Sequence, residues 1–279
     1  MTFDSITYPE TIFKGKKRES RTKLNKDKKN EVEYDTKFFA DERESSLRSA
    51  KVIVPFIMEI IKPKSVVDFG CGVGSFLYEL RNLGVQEILG IDGTYLDDNI
   101  LMVPEEFILK CDLSKEIKLE RKYDLCISLE VAEHIDSASA EIFISNLTNS
   151  ADVILFSAAI PGQGGTHHVN EQWPTYWAKI FEKRGFVAID CIRPLIWDNE
   201  NVDPVYSQNT IIYAKKDTIE NYGLNQWSKV CLGTGLTRLV HPKIFAAKSQ
   251  NSIKVFNPLM RQTILLLQLI YRKYLGHTK

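Results

Sequence analysis

The segment from Pro63 to Lys216 alternates short, nearly continuous apolar runs with stretches of helical periodicity. The apolar runs occupy 65–70, 87–92, 105–112, 123–130 and 152–158, and the helical stretches occupy 75–84, 137–149 and 174–186. Strands buried on both faces have this composition, so the pattern predicts a parallel sheet with helices on both faces. Two further apolar runs, 187–196 and 209–216, lack a clear helix between them and predict an antiparallel hairpin at the sheet edge.

The chain of 279 residues is long enough for one large α/β domain with additions at its ends. Hydrophobic residues make up 44% and charged residues 26%, values typical of globular proteins. We predict four parts. They are a basic, flexible arm over 1–35, an N-terminal helical cap over 36–62, the sheet domain over 63–217 and a C-terminal extension over 218–279.

The arm contains the strongly basic run KGKKRESRTKLNKDKK from Lys14 to Lys29. It is interpreted either as a solvated tail or as a contact to an anionic partner. Since the formal net charge of the chain is zero, a uniformly basic nucleic-acid binder is disfavoured, although nucleic acid is not excluded as a partner.

The cap is predicted to be a helix over Ser46–Ile61, bent or divided at Pro55. In the extension, apolar residues recur at helical spacing from Leu259 to Tyr274, which predicts an amphipathic helix. The uncharged run between Arg261 and Arg272 is shorter than the 20 or so residues that span a bilayer. The helix is therefore expected to pack on the domain or on a second copy in a homodimer, with peripheral membrane contact as the alternative.

Five scattered cysteines form no C-x-x-C pair and lie mostly in apolar runs: Cys71, Cys111, Cys126, Cys191 and Cys231. This usage is typical of reduced, structural thiols. No apolar signal region follows the N-terminus. Both observations predict a cytoplasmic protein.

The loop after the first apolar run reads Asp68-Phe-Gly70-Cys-Gly72-Val-Gly74. Ligands of parallel sheets lie beyond the carboxyl ends of strands, and glycines let a ligand approach the backbone closely. The next strand ends at Asp92, whose carboxylate can accept both hydroxyls of a ribose. The dinucleotide fingerprint fails because Ser75 occupies the third glycine position, and no G-K-[ST] phosphate loop is present.

The sequence V-D-F-G-C-G-V-G-S-F resembles motif I of class I S-adenosylmethionine-dependent methyltransferases. The resemblance covers about Phe38 to Lys216 and implies a Rossmann-like seven-stranded sheet. It also implies that Asp68 lies near the methionine end of the cofactor, that Asp92 holds the ribose and that Asp112 meets the adenine amino group. The full set of expected cofactor-binding residues is Asp68, Gly70, Cys71, Gly72, Gly74, Asp92, Gly93, Asp112, Leu113, Leu129 and Glu130.

The fourth apolar run ends in Glu130-Val-Ala-Glu133-His134. In a helical turn, spacings of three and four place these three side chains on one side. Two carboxylates and an imidazole suit a divalent cation, and a fourth ligand is available in Gly165-Thr-His167-His168. We predict a metal set of Glu130, Glu133, His134 and His167, with Mg²⁺ as the candidate ion. The alternative is that these residues shape a metal-free methionine pocket.

E-x-x-E-H followed by G-T-H resembles the ubiquinone-biosynthesis O-methyltransferases, and E-x-x-E-H with a later histidine resembles the small-RNA 2′-O-methyltransferases, whose matching residues bind a metal. The G-T-H position is matched by His167, and His168 is the second candidate. Because the loops after the fourth and fifth strands open onto the same crevice, we expect His167, His134 and Glu133 to carry the acceptor chemistry. Without a metal, His167 is expected to act as the general base.

The segments after His168 are dense in tryptophan, tyrosine and amide side chains, and include Trp173, Trp177 and Trp197. They resemble methyltransferases of bacterial surface-polysaccharide gene clusters, which implies O-methylation of a sugar or glycan-linked hydroxyl. The alternative for the three tryptophans is ordinary packing. Alternative functions are RNA ribose 2′-O-methylation, quinone-type O-methylation and a non-catalytic scaffold.

Overall fold

The computed structural model describes residues 36–224 and 239–255, with side chains described for 43–224 and 239–249. The strands are β1 (Ser65–Phe69), β2 (Glu87–Asp92), β3 (Ile108–Lys110), β4 (Leu125–Leu129), β5 (Val153–Ser157), β6 (Phe186–Ile189) and β7 (Ile211–Lys215). The helices are α1 (Thr36–Ile60), α2 (Ser75–Asn82), α3 (Ala140–Ser150), α4 (Pro174–Glu182), α5 (Arg193–Ile196), α6 (Pro204–Asn209) and α7 (Pro242–Val255). Short 3₁₀ turns cover 98–100, 105–107, 132–134 and 137–139.

The seven strands form one sheet in the order β3-β2-β1-β4-β5-β7-β6. Neighbours from β3 to β5 run parallel, whereas β7 is antiparallel to both β5 and β6. The predicted Rossmann-like α/β sheet is therefore confirmed. The order reverses direction at β1 and β4, and the crevice beyond their carboxyl ends is where sheets of this kind bind ligands.

Two apolar clusters cover the two faces of the sheet. One contains the buried face of α1, which presents Ala50, Ile53, Val54 and Ile57 at helical spacing. The other contains Phe143 and Leu147 of α3 and Trp177 of α4. Burial on both faces explains why β1, β4 and β5 are buried at every position.

Four details differ from the sequence-based expectations. The helix α1 runs through Pro55 without ending there. The third strand is shorter than predicted, because 105–107 form a 3₁₀ turn after Pro104. The run 187–196 leaves the sheet after Ile189, and the last four residues form α5.

The break after Ile189 has a local cause. A proline at the second position suits the start of a helix, and the Arg193 guanidinium turns back to the Asp190 carboxylate three residues earlier.

The fourth difference concerns the predicted hairpin. The strands β6 and β7 pair as predicted, but α5 and α6 lie between them in the chain and β7 is interior to the sheet.

The predicted arm over 1–35 and the predicted amphipathic helix beyond Pro258 lie outside the described residues. Cys231 does too, while Cys71, Cys111, Cys126 and Cys191 are all free thiols. Among the helices in the described ranges, none is both long and apolar enough to cross a bilayer.

Candidate active site

The glycine loop joins β1 to α2 and uses positive φ angles that favour glycine. Gly70 has a φ of 78° and lies so close to Val131 that a Cβ atom would come within 2.3 Å of its side chain. Gly72 has a φ of 52°, and a Cβ built there would meet nothing within 4 Å. Gly74 has a φ of 82° and caps α2. The loop therefore leaves open space beside Gly72, where a ligand can approach the backbone.

Asp92 ends β2 and connects it to this loop. Its carboxylate is 3% exposed and accepts hydrogen bonds from the backbone N–H groups of Gly72, at 2.7 Å, and Gly93, at 2.6 Å. The Tyr95 side chain also hydrogen bonds to it. Burial raises the pKa of Asp92 in spite of these bonds, which lower it. A buried carboxylate next to an open backbone cradle fits the hydroxyls of a nucleoside ribose.

Asp68 lies in β1 and Asp112 follows β3, and these two strands flank β2. Asp68 is buried in β1, and its burial together with the nearby Asp92 carboxylate raises its pKa well above the usual range. Asp112 is exposed beyond β3, and its Oδ1 accepts hydrogen bonds from the backbone and hydroxyl of Ser114, which lower its pKa. The structure thus brings the three predicted acids to neighbouring strands, and their separate cofactor contacts stay predictions.

The remaining predicted cofactor residues lie around the same edge. Cys71 packs against Gly90, where an added Cβ would lie 2.7 Å from its Sγ. Gly93 is covered by the Tyr95 ring. Leu113 and Leu129 are buried. The sequence pattern did not indicate that α1 also reaches this loop, where the Ser46 and Ser75 hydroxyls are 2.7 Å apart.

Glu130 follows β4 with a φ of 55°. Its carboxylate accepts hydrogen bonds from the side-chain amides of Gln163, at 2.8 Å, and Asn209, at 3.0 Å. Burial raises the pKa of Glu130 to about 7. Sequence reasoning missed both amides, because they come from the loop after β5 and the end of α6 and meet Glu130 only in the folded chain.

A cluster of Glu133, His134 and His168 forms beside this amide network. One ligand atom from each residue lies within 4.8 Å of the others, a spacing that could hold a metal ion. Glu133 and His134 belong to the 3₁₀ turn after β4. The Val169 and Asn170 backbone N–H groups donate to the Glu133 carbonyl, at 2.9 and 3.0 Å, and so attach the loop after β5 to this turn.

The Glu133 carboxylate is fully buried, and neither of its oxygens has a hydrogen-bond partner. The backbone N–H groups of Glu133 and Ala159 lower its pKa without reaching hydrogen-bond geometry. Burial and the Glu130 carboxylate have the larger effect and raise the pKa well above the usual range. Two unpartnered oxygens in a buried position are costly, and a bound cation would satisfy them.

The two imidazoles of the cluster meet edge to face, with ring centroids 4.9 Å apart. Desolvation of the His134 ring and the neighbouring His168 lower the pKa of His134 to about 4, although the residue is exposed as a whole. His134 is therefore neutral near pH 7, as a metal ligand must be. Its ring also hydrogen bonds to the backbone of His167.

The predicted metal set of Glu130, Glu133, His134 and His167 differs in two positions from the cluster that the structure brings together. The Glu130 carboxylate is engaged by amides, and the His168 ring, rather than the His167 ring, joins Glu133 and His134. Positive φ angles at Glu130 and His167 turn the chain so that simple helical spacing does not apply. The catalytic and metal-binding roles of these residues stay predictions.

The three tryptophans have different surroundings. Trp177 is 1% exposed and packs against Phe156, so for this residue the packing alternative holds. Trp173 precedes α4 and is half-buried. Trp197 is half-buried, and its carbonyl lies 2.8 Å from Nε2 of His241.

Residues 42–155 match a family model described as a methyltransferase domain. The sugar N-methyltransferase KedS8 from Streptoalloteichus sp. ATCC 53650 is similar in structure, with a TM-score of 0.50 and 12% identity over 72% of this chain and 99% of that one. The methyltransferase domain of bacterial CtHen1-C gives a TM-score of 0.46 and 20% identity over 61% of this chain and 98% of that one. No curated protein matches the sequence.

Magnesium protoporphyrin IX methyltransferase from Synechocystis PCC 6803, solved with bound S-adenosylmethionine, gives a TM-score of 0.46 and 19% identity over 68% of this chain and 87% of that one. At 12% identity, the likeness to KedS8 concerns the fold alone.

Proposed function

We propose that this chain, which carries a class I S-adenosylmethionine-dependent methyltransferase domain, is an O-methyltransferase acting on a hydroxyl of a sugar or glycan-linked small molecule. The observation that supports the proposal best is the cluster of Glu133, His134 and His168. It follows β4 and β5, and Val131 of the same turn contacts the glycine loop. Acceptor and cofactor sites would then share one crevice.

Methyl transfer to oxygen is an in-line displacement. The acceptor oxygen forms a bond to the methyl carbon while the bond from that carbon to the sulfonium sulfur breaks, and the hydroxyl proton must go to a base. A sugar hydroxyl is a weak nucleophile, so its proton has to be removed or its pKa lowered. The cluster offers either route. In the metal-free version, His168 Nε2 accepts the proton, and Glu133 and His134 orient the acceptor.

In the metal version, a divalent cation such as Mg²⁺ would be held by Glu133, His134 and His168 and would lower the pKa of the bound hydroxyl. The unpartnered oxygens of Glu133 support this version because the cation would supply the missing partner. The mixed oxygen and nitrogen donor set is compatible with several divalent ions.

The test is transfer of a labelled methyl group from the cofactor to a panel of nucleotide sugars, oligosaccharides, quinone precursors and RNA. We expect turnover with a sugar acceptor. Turnover confined to RNA or to quinone precursors would contradict the acceptor class. No turnover with any acceptor, in a protein that binds the cofactor, would favour the scaffold alternative. A chelator should abolish turnover in the metal version and leave it unchanged in the metal-free version.

The two adjacent histidines provide a matched pair of variants. His168→Ala should reduce turnover about 100-fold, the usual scale of acid–base assistance, because it removes a member of the cluster. His167→Ala should have a smaller effect, since its ring is outside the cluster. The opposite ranking, measured at saturating cofactor, would restore His167 as the acting residue.

A further inference from the structure

The Glu171 carboxylate accepts three hydrogen bonds at the edge of the candidate site. Its partners are Nδ1 of His168, at 2.8 Å, and the backbone N–H groups of Gly162, at 2.7 Å, and Gly164, at 2.5 Å. The sequence pattern assigned this residue no role. One side chain thus fixes both the loop after β5 and the imidazole that the loop carries.

The contacts determine which nitrogen of His168 is protonated. The backbone N–H groups of Gly162 and Gly164 both donate to the Glu171 carboxylate, and an ionised carboxylate can only accept hydrogen bonds. Nδ1 of His168 must then carry the proton. In a neutral ring Nε2 is left as the acceptor, and it faces Oε1 of Glu133 at 3.9 Å.

The loop confines the same ring from the other side. A Cβ atom added to Gly165 would lie 2.2 Å from Nε2 of His168, so only glycine leaves room for the ring in this orientation. Gly162 and Gly164 have φ angles of 84° and 65°, which favour glycine. The G-Q-G-G loop, Glu171 and His168 therefore adopt their positions together.

We infer that Glu171 is a positioning residue, which holds His168 in the Nδ1–H tautomer and directs Nε2 into the cluster with Glu133 and His134. The effect of this positioning on turnover rests on the proposed function, since both the metal version and the metal-free version need a free Nε2. A carboxylate behind a histidine serves a metal ligand and a general base alike.

The test is a long-range ¹H–¹⁵N correlation spectrum of the histidine rings at a fixed neutral pH. In the wild-type protein, His168 should be in the Nδ1–H tautomer. In Glu171→Ala the Nε2–H tautomer should become populated, and Glu171→Gln, which keeps a neutral acceptor, should recover part of the Nδ1–H form. Glu182→Gln, at an exposed position of α4, is the matched control and should match the wild type.

A wild-type ring in the Nε2–H form, or an unchanged tautomer in Glu171→Ala, would overturn the inference. Unchanged affinity for S-adenosylhomocysteine would show that the variant is folded. Calorimetry with Mn²⁺ distinguishes failure of the inference about Glu171 from failure of the proposed function. Glu171→Ala should weaken Mn²⁺ binding by about 10- to 100-fold. If the wild type binds no Mn²⁺, the metal version fails and the tautomer still decides the role of Glu171.

Discussion

Glu130 is half-buried as a residue, and its carboxylate lies near that of a second acid, Glu133. Burial raises the pKa of Glu130, and the hydrogen bonds donated by Gln163 and Asn209 lower it by less. The net result is a rise from 4.5 to about 7. Residues of this kind are the least predictable from sequence. The E-x-x-E-H spacing identified the acids, but the amides that engage Glu130 are 33 and 79 positions away.

The raised pKa of Glu130 has a consequence for stability. A carboxyl group whose folded pKa lies above its unfolded pKa loses its proton first in the unfolded chain. Its contribution to the free energy of unfolding is therefore greatest below about pH 4.5 and is lost as the pH rises to about 7. One pKa unit corresponds to about 1.4 kcal/mol, so the loss should amount to about 3 kcal/mol.

Urea unfolding of the cofactor-free protein across this pH range measures that loss. Between pH 4.5 and pH 7, the free energy of unfolding should fall by about 3 kcal/mol less in Glu130→Gln than in the wild type. In the exposed variant Glu182→Gln it should fall as much as in the wild type. An equal decrease in the wild type and in Glu130→Gln would show that the pKa of Glu130 is not raised in the folded protein.

At the scale of elements, the short helix α6 connects the N-terminal helix to the candidate site. Asp203 caps α6, with Oδ1 accepting from the Val205 N–H at 3.1 Å. Its Oδ2 accepts from the Ser45 hydroxyl of α1 at 2.8 Å, and its own N–H donates to Ser49 at 2.9 Å. The other end of α6 carries Asn209, which binds Glu130. The packing of α1 and the position of Glu130 are therefore linked through one helix.

Asp203→Ala removes both the cap and the side-chain bond to Ser45 of α1. Loss of a helix cap costs about 1 kcal/mol and loss of a hydrogen bond a similar amount, so the free energy of unfolding should fall by about 1–2 kcal/mol. Asp203→Asn keeps a capping oxygen and should lose less. A double-mutant cycle with Ser45→Ala should give a coupling of about 1 kcal/mol, and a coupling near zero would contradict the link.

At the scale of the whole molecule, the sequence predicted the sheet better than its edges. The buried parallel strands have continuous apolar runs, so β1, β2, β4 and β5 were predicted within a residue or two of their bounds. The turn to α5 was missed, because its cause is a bond between Arg193 and Asp190 that an apolar run does not show. Likewise, spacing alone does not show that the His168 ring joins the cluster, because Glu171 and Gly165 confine that ring only in the folded chain.

We expect the glycine loop and Asp92 to bind S-adenosylmethionine, a claim that calorimetric titration with S-adenosylhomocysteine can test. The wild type should bind one equivalent. Asp92→Ala should bind about 10-fold or more weakly, because losing a charged hydrogen-bond partner costs about 1.5–3 kcal/mol. Tyr95→Phe, which removes a donor to Asp92 and keeps the carboxylate, should bind at least as tightly as the wild type. An Asp92→Ala protein with wild-type affinity, or a wild-type protein that binds no S-adenosylhomocysteine, would contradict the claim.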